Sequence, residues 1–276
     1  MKQMMFTLWD VGHGLSIWIK TPNGHNHWID AGWYPDTNFS PSKHVKDHYG
    51  ETQLDLLIIS HPDMDHLHNL PEIVKHLGEP RVFCRNKSVR DAEKYGSATL
   101  DYQMVYRNLD QKYNAPVSIA ASPFDAGYNG GITVKTRYLN YVTDMSINDS
   151  SVVAFYGYAG WLFVLPGDIE STGWGNLWKQ YSEIFQPLIS GAKYKILVAP
   201  HHGRSSGYSD AMMNTLSPNL VLISDKYGKE PTDSRFRDNP KGISYQDNLV
   251  KYFTTKTGGR MQFTIKDDGT CNFTQL

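Results

Sequence analysis

The spacing of apolar residues along the chain predicts strands that alternate with helices. Alternating apolar residues over 6–8 and 15–19 indicate two strands, and a third strand follows over 27–30. Residues 54–60 are apolar almost throughout, which is typical of a strand buried on both faces. Apolar residues then recur at helical spacing over 70–77, so this part of the chain is predicted to be a strand, a loop and a helix.

The second half of the chain repeats this alternation. Strand patterns occupy 132–139, 151–156, 161–165, 195–199 and 220–224, and helical patterns occupy 175–190 and 209–216. Between the halves, residues 85–115 are rich in charge and tyrosine, and we expect them to form an inserted helical pair. The chain has no fixed-period repeat and no Pro- or Gly-rich linker, which favours a single α/β domain over residues 1–276.

Composition excludes several classes of protein. No apolar run is long enough to cross a bilayer, and the first residues lack the apolar core of a signal peptide, so we expect a soluble cytoplasmic protein without a membrane partner. A net charge of −1 provides no overall basic field for non-specific nucleic-acid binding. Only Cys84 and Cys271 are present, so a bound metal would need His and carboxylate ligands.

The run HPDMDH contains four residues that can bind metal, namely His61, Asp63, Asp65 and His66. It follows the buried strand 54–60 directly, so these side chains lie on one tight loop at the carboxyl end of that strand. Such a loop can serve two metal ions. The alternative is that the aspartates cap a helix and the histidines lie on the surface. The ligand chemistry of the four residues at these offsets favours the metal site.

Two other predicted strands also end in residues that can bind metal. Asp168 follows strand 161–165 after Pro166-Gly167, and its carboxylate could bridge two cations about 3.5–4 Å apart. His201 and His202 follow strand 195–199. A Gly-Asp pair alone is more often a turn, and a His pair alone is weak. Three such loops, each after an apolar strand, together favour one shared site.

The motifs DVGHG, WIDAG, ISHPDMDH, LPGDIE and APHHG, in this order, resemble the metallo-β-lactamase superfamily. The similarity is greatest to its ComEC-like branch, the hydrolase domain of a DNA-uptake channel protein. It extends from Asp10 to about Ser224 and is poorest over 85–115. The resemblance implies an αββα sandwich that holds two metal ions at one edge, between two sheets.

The resemblance also implies a role for each motif residue. His61 and Asp63 would serve one ion, Asp65 and His66 the other, and Asp168 would bridge the two. His201 or His202 would complete the second site. Two further acidic residues, Asp10 and Asp30, match positions that flank the site in the family, and we expect them to orient loops rather than bind metal.

The chain departs from the superfamily pattern at several positions. Asp63 stands where most members have His, and this hard oxygen ligand tilts one site towards Mn²⁺, although zinc also accepts carboxylate. No His occurs over 147–151, where the superfamily supplies a further ligand, and Asn148 or Asp149 could substitute. His13 stands where ComEC-like sequences tend to have Gln, and either a substrate-contacting or orienting role or a structural role is open to it.

These residues predict a hydrolase that uses two divalent ions, Zn²⁺ or Mn²⁺. Asp65 would orient the attacking water, and His202 or Asn148 would lie near the leaving group. We expect a phosphodiester substrate, either single-stranded nucleic acid or a nucleotide. The alternative is a carboxyl-ester, lactone or thioester hydrolase with the same metals. A third possibility is a binding module whose metal site has decayed, in keeping with the missing His.

The segment near 85–115 combines cations with aromatic rings, which suits phosphates and bases. These residues are Arg81, Arg85, Lys87, Arg90, Lys94, Arg107 and Lys112, among Tyr95, Tyr102, Tyr106 and Tyr113. A solvated helical hairpin whose tyrosines pack against the core explains the pattern equally well, because four acidic residues are interspersed. Arg204, next to the His pair, is a second candidate phosphate contact.

Overall fold

The computed structural model describes residues 2–33, 39–117, 122–226 and 231–275. This part of the chain forms two large β-sheets and a small hairpin. The strands are β1 (Gln3–Leu8), β2 (Ser16–Lys20), β3 (Asn26–Ala31), β4 (Leu56–Ile58), β5 (Val82–Cys84), β6 (Thr133–Arg137), β7 (Val153–Tyr158), β8 (Trp161–Leu165), β9 (Tyr194–Val198), β10 (Leu220–Ile223), β11 (Ile243–Tyr245), β12 (Asn248–Val250), β13 (Tyr252–Thr254), β14 (Met261–Lys266) and β15 (Cys271–Gln275).

The strands are arranged in mixed sheets. The first sheet has the order β15-β14-β1-β2-β3-β4-β5, and the second has the order β13-β10-β9-β8-β7-β6. Strands β3, β4 and β5 run parallel to one another, as do β8, β9, β10 and β13. Parallel neighbours bring their carboxyl ends to the same sheet edge, so the loops that follow them can share one site.

Helices cover the outer face of each sheet. They are α1 (Pro41–Tyr49), α2 (Met64–Leu67), α3 (Leu70–Leu77), α4 (Asp91–Tyr95), α5 (Asp101–Lys112), α6 (Ser171–Gly191), α7 (Asp210–Leu216), α8 (Arg235–Asp238) and α9 (Thr255–Gly258). Helices α1, α3 and α5 pack on the first sheet, and α6 and α7 pack on the second. No helix in the described ranges combines the length and hydropathy that a membrane span requires.

Three apolar cores hold the layers together. Between the sheets, Phe6 stacks on Phe163 with ring centroids 4.2 Å apart. Outside the second sheet, Phe155 stacks on Phe185 of α6 at 4.1 Å. Outside the first sheet, Phe83 meets Tyr106 edge to face. Both faces of each sheet are buried, which explains why β4, β8 and β10 are apolar without interruption.

This layering confirms the αββα sandwich that the sequence predicted. Residues 85–115 supply helices α4 and α5, as expected for an inserted helical pair. Among the boundaries that differ from prediction, the strand expected over 54–60 covers only Leu56–Ile58, and the helix expected over 175–190 begins four residues earlier. The strands over 243–254 were not predicted. The assignment of residues 1–276 to a single domain stays a prediction.

Candidate metal centre

Four loops meet at the carboxyl ends of β3, β4, β8 and β9. Asp30 is the penultimate residue of β3, and His61 follows β4 by three residues. Asp168 follows β8, and His202 lies in the turn after β9. The two sheets thus deliver residues that are far apart in sequence to one place.

The first cluster of possible ligands is fully buried. It consists of His61, His66 and Asp168, whose ligand atoms lie within 4.8 Å of one another. The Nε2 atom of His66 is 3.2 Å from Asp168 Oδ1, and the Nε2 atom of His61 is 4.0 Å from Asp168 Oδ2. Two imidazoles and one carboxylate are a donor set that divalent transition metals accept.

The second cluster lies directly beside the first and consists of His13, Asp65 and His202. Asp65 Oδ2 is 3.3 Å from His13 Nε2 and 3.1 Å from His202 Nε2. His202 Nε2 is also 3.6 Å from Asp168 Oδ2, so the carboxylate of Asp168 faces both clusters. This is the position that a residue bridging two ions would need.

Each buried histidine is anchored through Nδ1. His61 Nδ1 lies 3.1 Å from Ser60 Oγ, His66 Nδ1 lies 2.9 Å from Asp30, and His202 Nδ1 lies 3.0 Å from the carbonyl of Ser224. These contacts set the orientation of each ring and direct Nε2 towards the clusters, as the hydrogen-bond partners of metal-binding histidines do.

The three Nε2 atoms test whether the site fits a metal. They are buried, and although carboxylate oxygens lie 3.1–4.0 Å away, none of them makes a hydrogen bond of acceptable geometry. A buried polar atom without a partner costs about 1–3 kcal/mol. Three such atoms that converge on two carboxylates fit a pair of divalent cations well.

Charge coupling within the centre is strong. Burial alone would raise the pKa values of Asp65 and Asp168, but the neighbouring histidines, His66 and His202, hold both below the ordinary range. Burial likewise opposes charge on His66, yet the carboxylates around it raise its pKa well above the usual value. Carboxylates that remain ionised when buried attract a cation.

Asp30 organises the loop after β4. Its carboxylate accepts hydrogen bonds from Ser60 N at 2.6 Å and Ser60 Oγ at 2.7 Å, and it contacts His66 Nδ1. Asp30 has a φ of 56°, an unusual conformation for a residue other than glycine. This position suits the loop-orienting role that the resemblance implied. Asp10 instead accepts a bond from Gly12 N in its own loop.

The clusters differ from the pairing that the resemblance implied. Asp65 and His66 were expected to serve the same ion, but they lie in different clusters. Both are on α2, where consecutive side chains diverge by about 100°. Asp63, expected beside His61, has a side chain 45% exposed at the rim, with Oδ2 3.5 Å from His61 Nε2.

His202, rather than His201, faces the centre. Both residues have a left-handed backbone, with φ of 53° and 50° respectively, and their side chains diverge. His201 Nδ1 lies 2.8 Å from Ser206 Oγ and 3.5 Å from Glu170, outside both clusters. The sequence showed the pair but could not show which ring points inward.

Asn148 and Asp149 lie in the short 3-10 helix Asn148–Ser150, and Asp149 belongs to neither described cluster. Asp149 Oδ1 accepts a hydrogen bond from Glu170 N at 2.9 Å, at the start of α6, so this carboxylate caps a helix. The residue of this stretch that reaches the centre is Ser151, whose Oγ accepts from Asp168 N at 3.2 Å and lies 3.5 Å from His61 Nδ1. Sequence analysis missed Ser60 and Ser151, for which the only signal was their position beside strand ends.

The cations of the inserted segment are largely engaged within the protein. Arg85 and Lys94 are buried and contact Asp110 at 2.5 and 3.0 Å, and the hydroxyl of Tyr95 donates to the same carboxylate. Arg204 is also buried, 3.3 Å from Asp225. The tyrosines at 95, 102 and 106 lie in the outer core, which favours the packing interpretation of this segment.

A groove of about 750 Å³ opens beside the centre. Its lining includes Trp33, Phe39, Lys43, Met64, His68 and Tyr102. The ring of His68 contacts both Trp33 and Tyr102, with centroids 5.4 and 5.6 Å away. Met64, which is 55% exposed, separates Asp63 from Asp65 in sequence, so the groove adjoins the loop that carries the ligands.

Comparison with known proteins places this centre in context. No family model matches the chain. The competence protein ComA of Neisseria gonorrhoeae is 24% identical over 272 residues, which cover 95% of this chain and 32% of ComA. The chain therefore spans about a third of the length of the curated relative it matches.

Solved structures that resemble this chain do so at low sequence identity. A mutant of the β-hydroxylase CmlA has a TM-score of 0.50 and 13% identity, over 98% of this chain and 54% of CmlA. A diphosphatase of the PhnP family has a TM-score of 0.48 and 12% identity, over 96% of this chain and 98% of its own. A metallo-β-lactamase from Hirschia baltica has a TM-score of 0.32 and 12% identity, over 61% and 68%. The chain shares its fold with the CmlA mutant, and its two-sheet layering agrees with the αββα sandwich that the likeness to the metallo-β-lactamase superfamily implied.

Proposed function

We propose that this protein is a hydrolase that uses two divalent metal ions to cleave a phosphodiester bond in single-stranded nucleic acid or a nucleotide. One observation carries the proposal: three buried imidazole Nε2 atoms face two carboxylates without a hydrogen-bond partner. The similarity to a competence protein supports a nucleic-acid or nucleotide substrate.

His61, His66 and Asp168 would hold one ion, and Asp65 and His202 would contribute to the other. The chemistry that such ions supply when bound is a water of lowered pKa and a polarised phosphoryl oxygen. Zn²⁺ and Mn²⁺ are the metals we propose, because both accept imidazole and carboxylate ligands. Asp63, at the rim, would add an oxygen beside His61.

The side chains of the centre position the reaction. Asp65 is 24% exposed at the open side, so its carboxylate can accept a hydrogen bond from the attacking water and orient it. His202 lies beside Asp65 and Asp168, where its ring borders the reacting group. The buried side of the centre, formed by His61 and His66, excludes bulk water.

The aromatic groove favours a nucleotide over a small lactone. The ring of Trp33 in this lining can stack on a base, and stacking contributes about 1–3 kcal/mol per base. Lys43 in the same lining is paired with Asp47, and a phosphate would have to compete with that carboxylate for its charge. A small lactone would leave most of this groove empty.

A metal-reconstituted substrate screen tests the proposal. The protein is stripped with a chelator, reloaded with Mn²⁺, Zn²⁺ or Fe²⁺, and assayed with single-stranded DNA, cyclic dinucleotides, a chromogenic phosphodiester and a lactone. We expect metal-dependent cleavage of a phosphodiester. Turnover of the lactone alone would establish the ester-hydrolase alternative, and fewer than one bound ion per chain would favour a binding module.

A groove variant tests the substrate class separately. We expect Trp33→Ala to raise KM for a nucleotide substrate about 5- to 150-fold, which corresponds to the loss of one stacking contact. Turnover of a small chromogenic phosphodiester should be unchanged, because that substrate does not fill the groove. Equal losses on both substrates would show that Trp33 supports the fold rather than the base.

A further inference from the structure

The loop after β1 brings an unexpected imidazole to the open side of the centre. His13 Nε2 lies 3.3 Å from Asp65 Oδ2, and the rings of His13 and His202 have centroids 4.6 Å apart. The ligand atoms of these three residues lie within 4.8 Å of one another. They form the same donor set as the buried cluster, two imidazoles and one carboxylate.

The backbone fastens this loop to the ligand-bearing loop. Leu15 N donates a hydrogen bond to the carbonyl of Asp65 at 3.3 Å. Gly14 has a φ of +141°, and a Cβ atom there would lie 2.6 Å from the same carbonyl oxygen. Only glycine permits this close approach, which holds His13 against Asp65.

A second connection links the loop to the anchor of His202. Ser224 Oγ donates to the carbonyl of Gly14 at 2.6 Å, while the carbonyl of Ser224 lies 3.0 Å from His202 Nδ1. One residue therefore fixes both the His13 loop and the His202 ring. Ligands that are held in place before metal arrives bind it without a further cost of ordering.

The two clusters differ in exposure. The ligands of the buried cluster are almost inaccessible, whereas the side chains of His13 and Asp65 are 21% and 24% exposed. Catalytic metal sites typically have three protein ligands and keep one position open for water or substrate. The cluster that contains His13 has this form.

We propose that His13 is a ligand of the second divalent ion, together with Asp65 and His202. This inference rests on the proposed two-metal function and deepens it. His13 supplies, from the loop after β1, an imidazole that the chain lacks over 147–151. The second ion is thus held by three protein side chains, with Asp168 facing both ions.

Cobalt binding tests the assignment without an activity assay. Metal-free wild type, His13→Ala and His13→Cys are titrated with Co²⁺, and binding is followed by visible absorption and by equilibrium dialysis. We expect two Co²⁺ per chain in the wild type. In His13→Ala one ion should stay tightly bound, and the other should bind at least about 100-fold more weakly, a larger loss than the removal of a residue that only orients a ligand causes.

The cysteine variant gives a spectroscopic signature. If His13 contacts the ion, His13→Cys should restore the second ion and add a sulfur-to-cobalt charge-transfer band. His48→Ala, which changes an exposed histidine on α1, should bind as the wild type does. Circular dichroism and a thermal melt check that each variant is folded.

Two outcomes separate this inference from the proposed function. If His13→Ala binds both ions with wild-type affinity, or His13→Cys lacks the charge-transfer band, His13 is not a ligand and the two-metal hydrolase stands. If the wild type binds two ions and loses one in His13→Ala, yet cleaves no phosphodiester, the ligand assignment holds and the proposed substrate class fails.

Discussion

The metal centre and the inserted helical segment both bury charged side chains, but they satisfy them differently. In the insert, the carboxylate of Asp110 contacts Arg85 and Lys94 and accepts a hydrogen bond from Tyr95. In the centre, His61 and His66 direct Nε2 atoms at a carboxylate without forming hydrogen bonds.

This difference in how buried polar groups are satisfied distinguishes a structural role from a functional one. A buried charge whose contacts all come from the same protein stabilises the fold, here by connecting the end of β5 with helices α4 and α5. Buried donor atoms that converge without partners need something from outside the chain. The cation-rich segment is therefore interpreted as structural and the histidine-rich loop as functional, although both contain residues that could bind a ligand.

The largest effect is expected at the residue shared by the two clusters. Asp168→Ala should lose both ions and all measurable turnover, because its carboxylate faces both sets of ligands. Metal content after desalting and turnover of a phosphodiester measure this. Asp268→Ala, in an exposed turn, is the matched control. A variant at Asp168 that retained two ions would refute the shared role.

Removal of the buried ion pair in the insert should lower the free energy of unfolding and leave metal binding unchanged. Arg85→Met leaves Asp110 buried with fewer partners, and removing one member of a buried pair costs about 3–5 kcal/mol. Urea unfolding measures the loss, with Arg107→Met, at an exposed position, as control. Metal content should match the wild type. A loss of bound metal with unchanged stability would show instead that Arg85 supports metal binding rather than the fold.

Added metal should stabilise the protein through the centre alone. At a free ion concentration about 100 times Kd, the free energy of unfolding should rise by about 2.7 kcal/mol per site. Arg85→Met should gain the same increment, and Asp168→Ala should gain none. Thermal melts with chelator and with Zn²⁺ or Mn²⁺ measure this. Equal increments in all three proteins would place the binding elsewhere.

The smallest effect is expected at the residue that orients the loop. Asp30→Asn should weaken metal binding about 10- to 100-fold, because it alters the contacts to Ser60 and His66 without removing a ligand. Equilibrium dialysis measures the affinity. Asp10→Asn, whose carboxylate contacts its own loop, should change it less. An unchanged affinity in Asp30→Asn would show that the carboxylate of Asp30 is not needed for metal binding.

Much of the centre could be predicted because its signals are local. The apolar strand before HPDMDH, the Gly-Asp after β8 and the His pair after β9 each combine a strand end with a residue that can bind metal. Such combinations can be found along a single chain. The likeness to the metallo-β-lactamase superfamily then supplied the αββα order of layers, which apolar spacing alone could not give.

The remaining features depended on contacts between distant segments. Ser151 and Ser224 reach the histidines from elsewhere in the chain, and no pattern marks them. The direction of a side chain in a tight turn also escapes sequence analysis, as the divergence of His201 from His202 demonstrates.

The sequence by itself therefore determined the alternation of strands and helices and the strand ends that carry potential metal ligands, because apolar spacing and residue chemistry are local properties. Only the tertiary structure decided which imidazoles converge, that Asp65 and His66 lie in different clusters, and that His13 lies beside Asp65. It also showed that Arg85 and Lys94 form ion pairs with Asp110. The reason is physical: convergence depends on where separate strands end in space and how each backbone turns there.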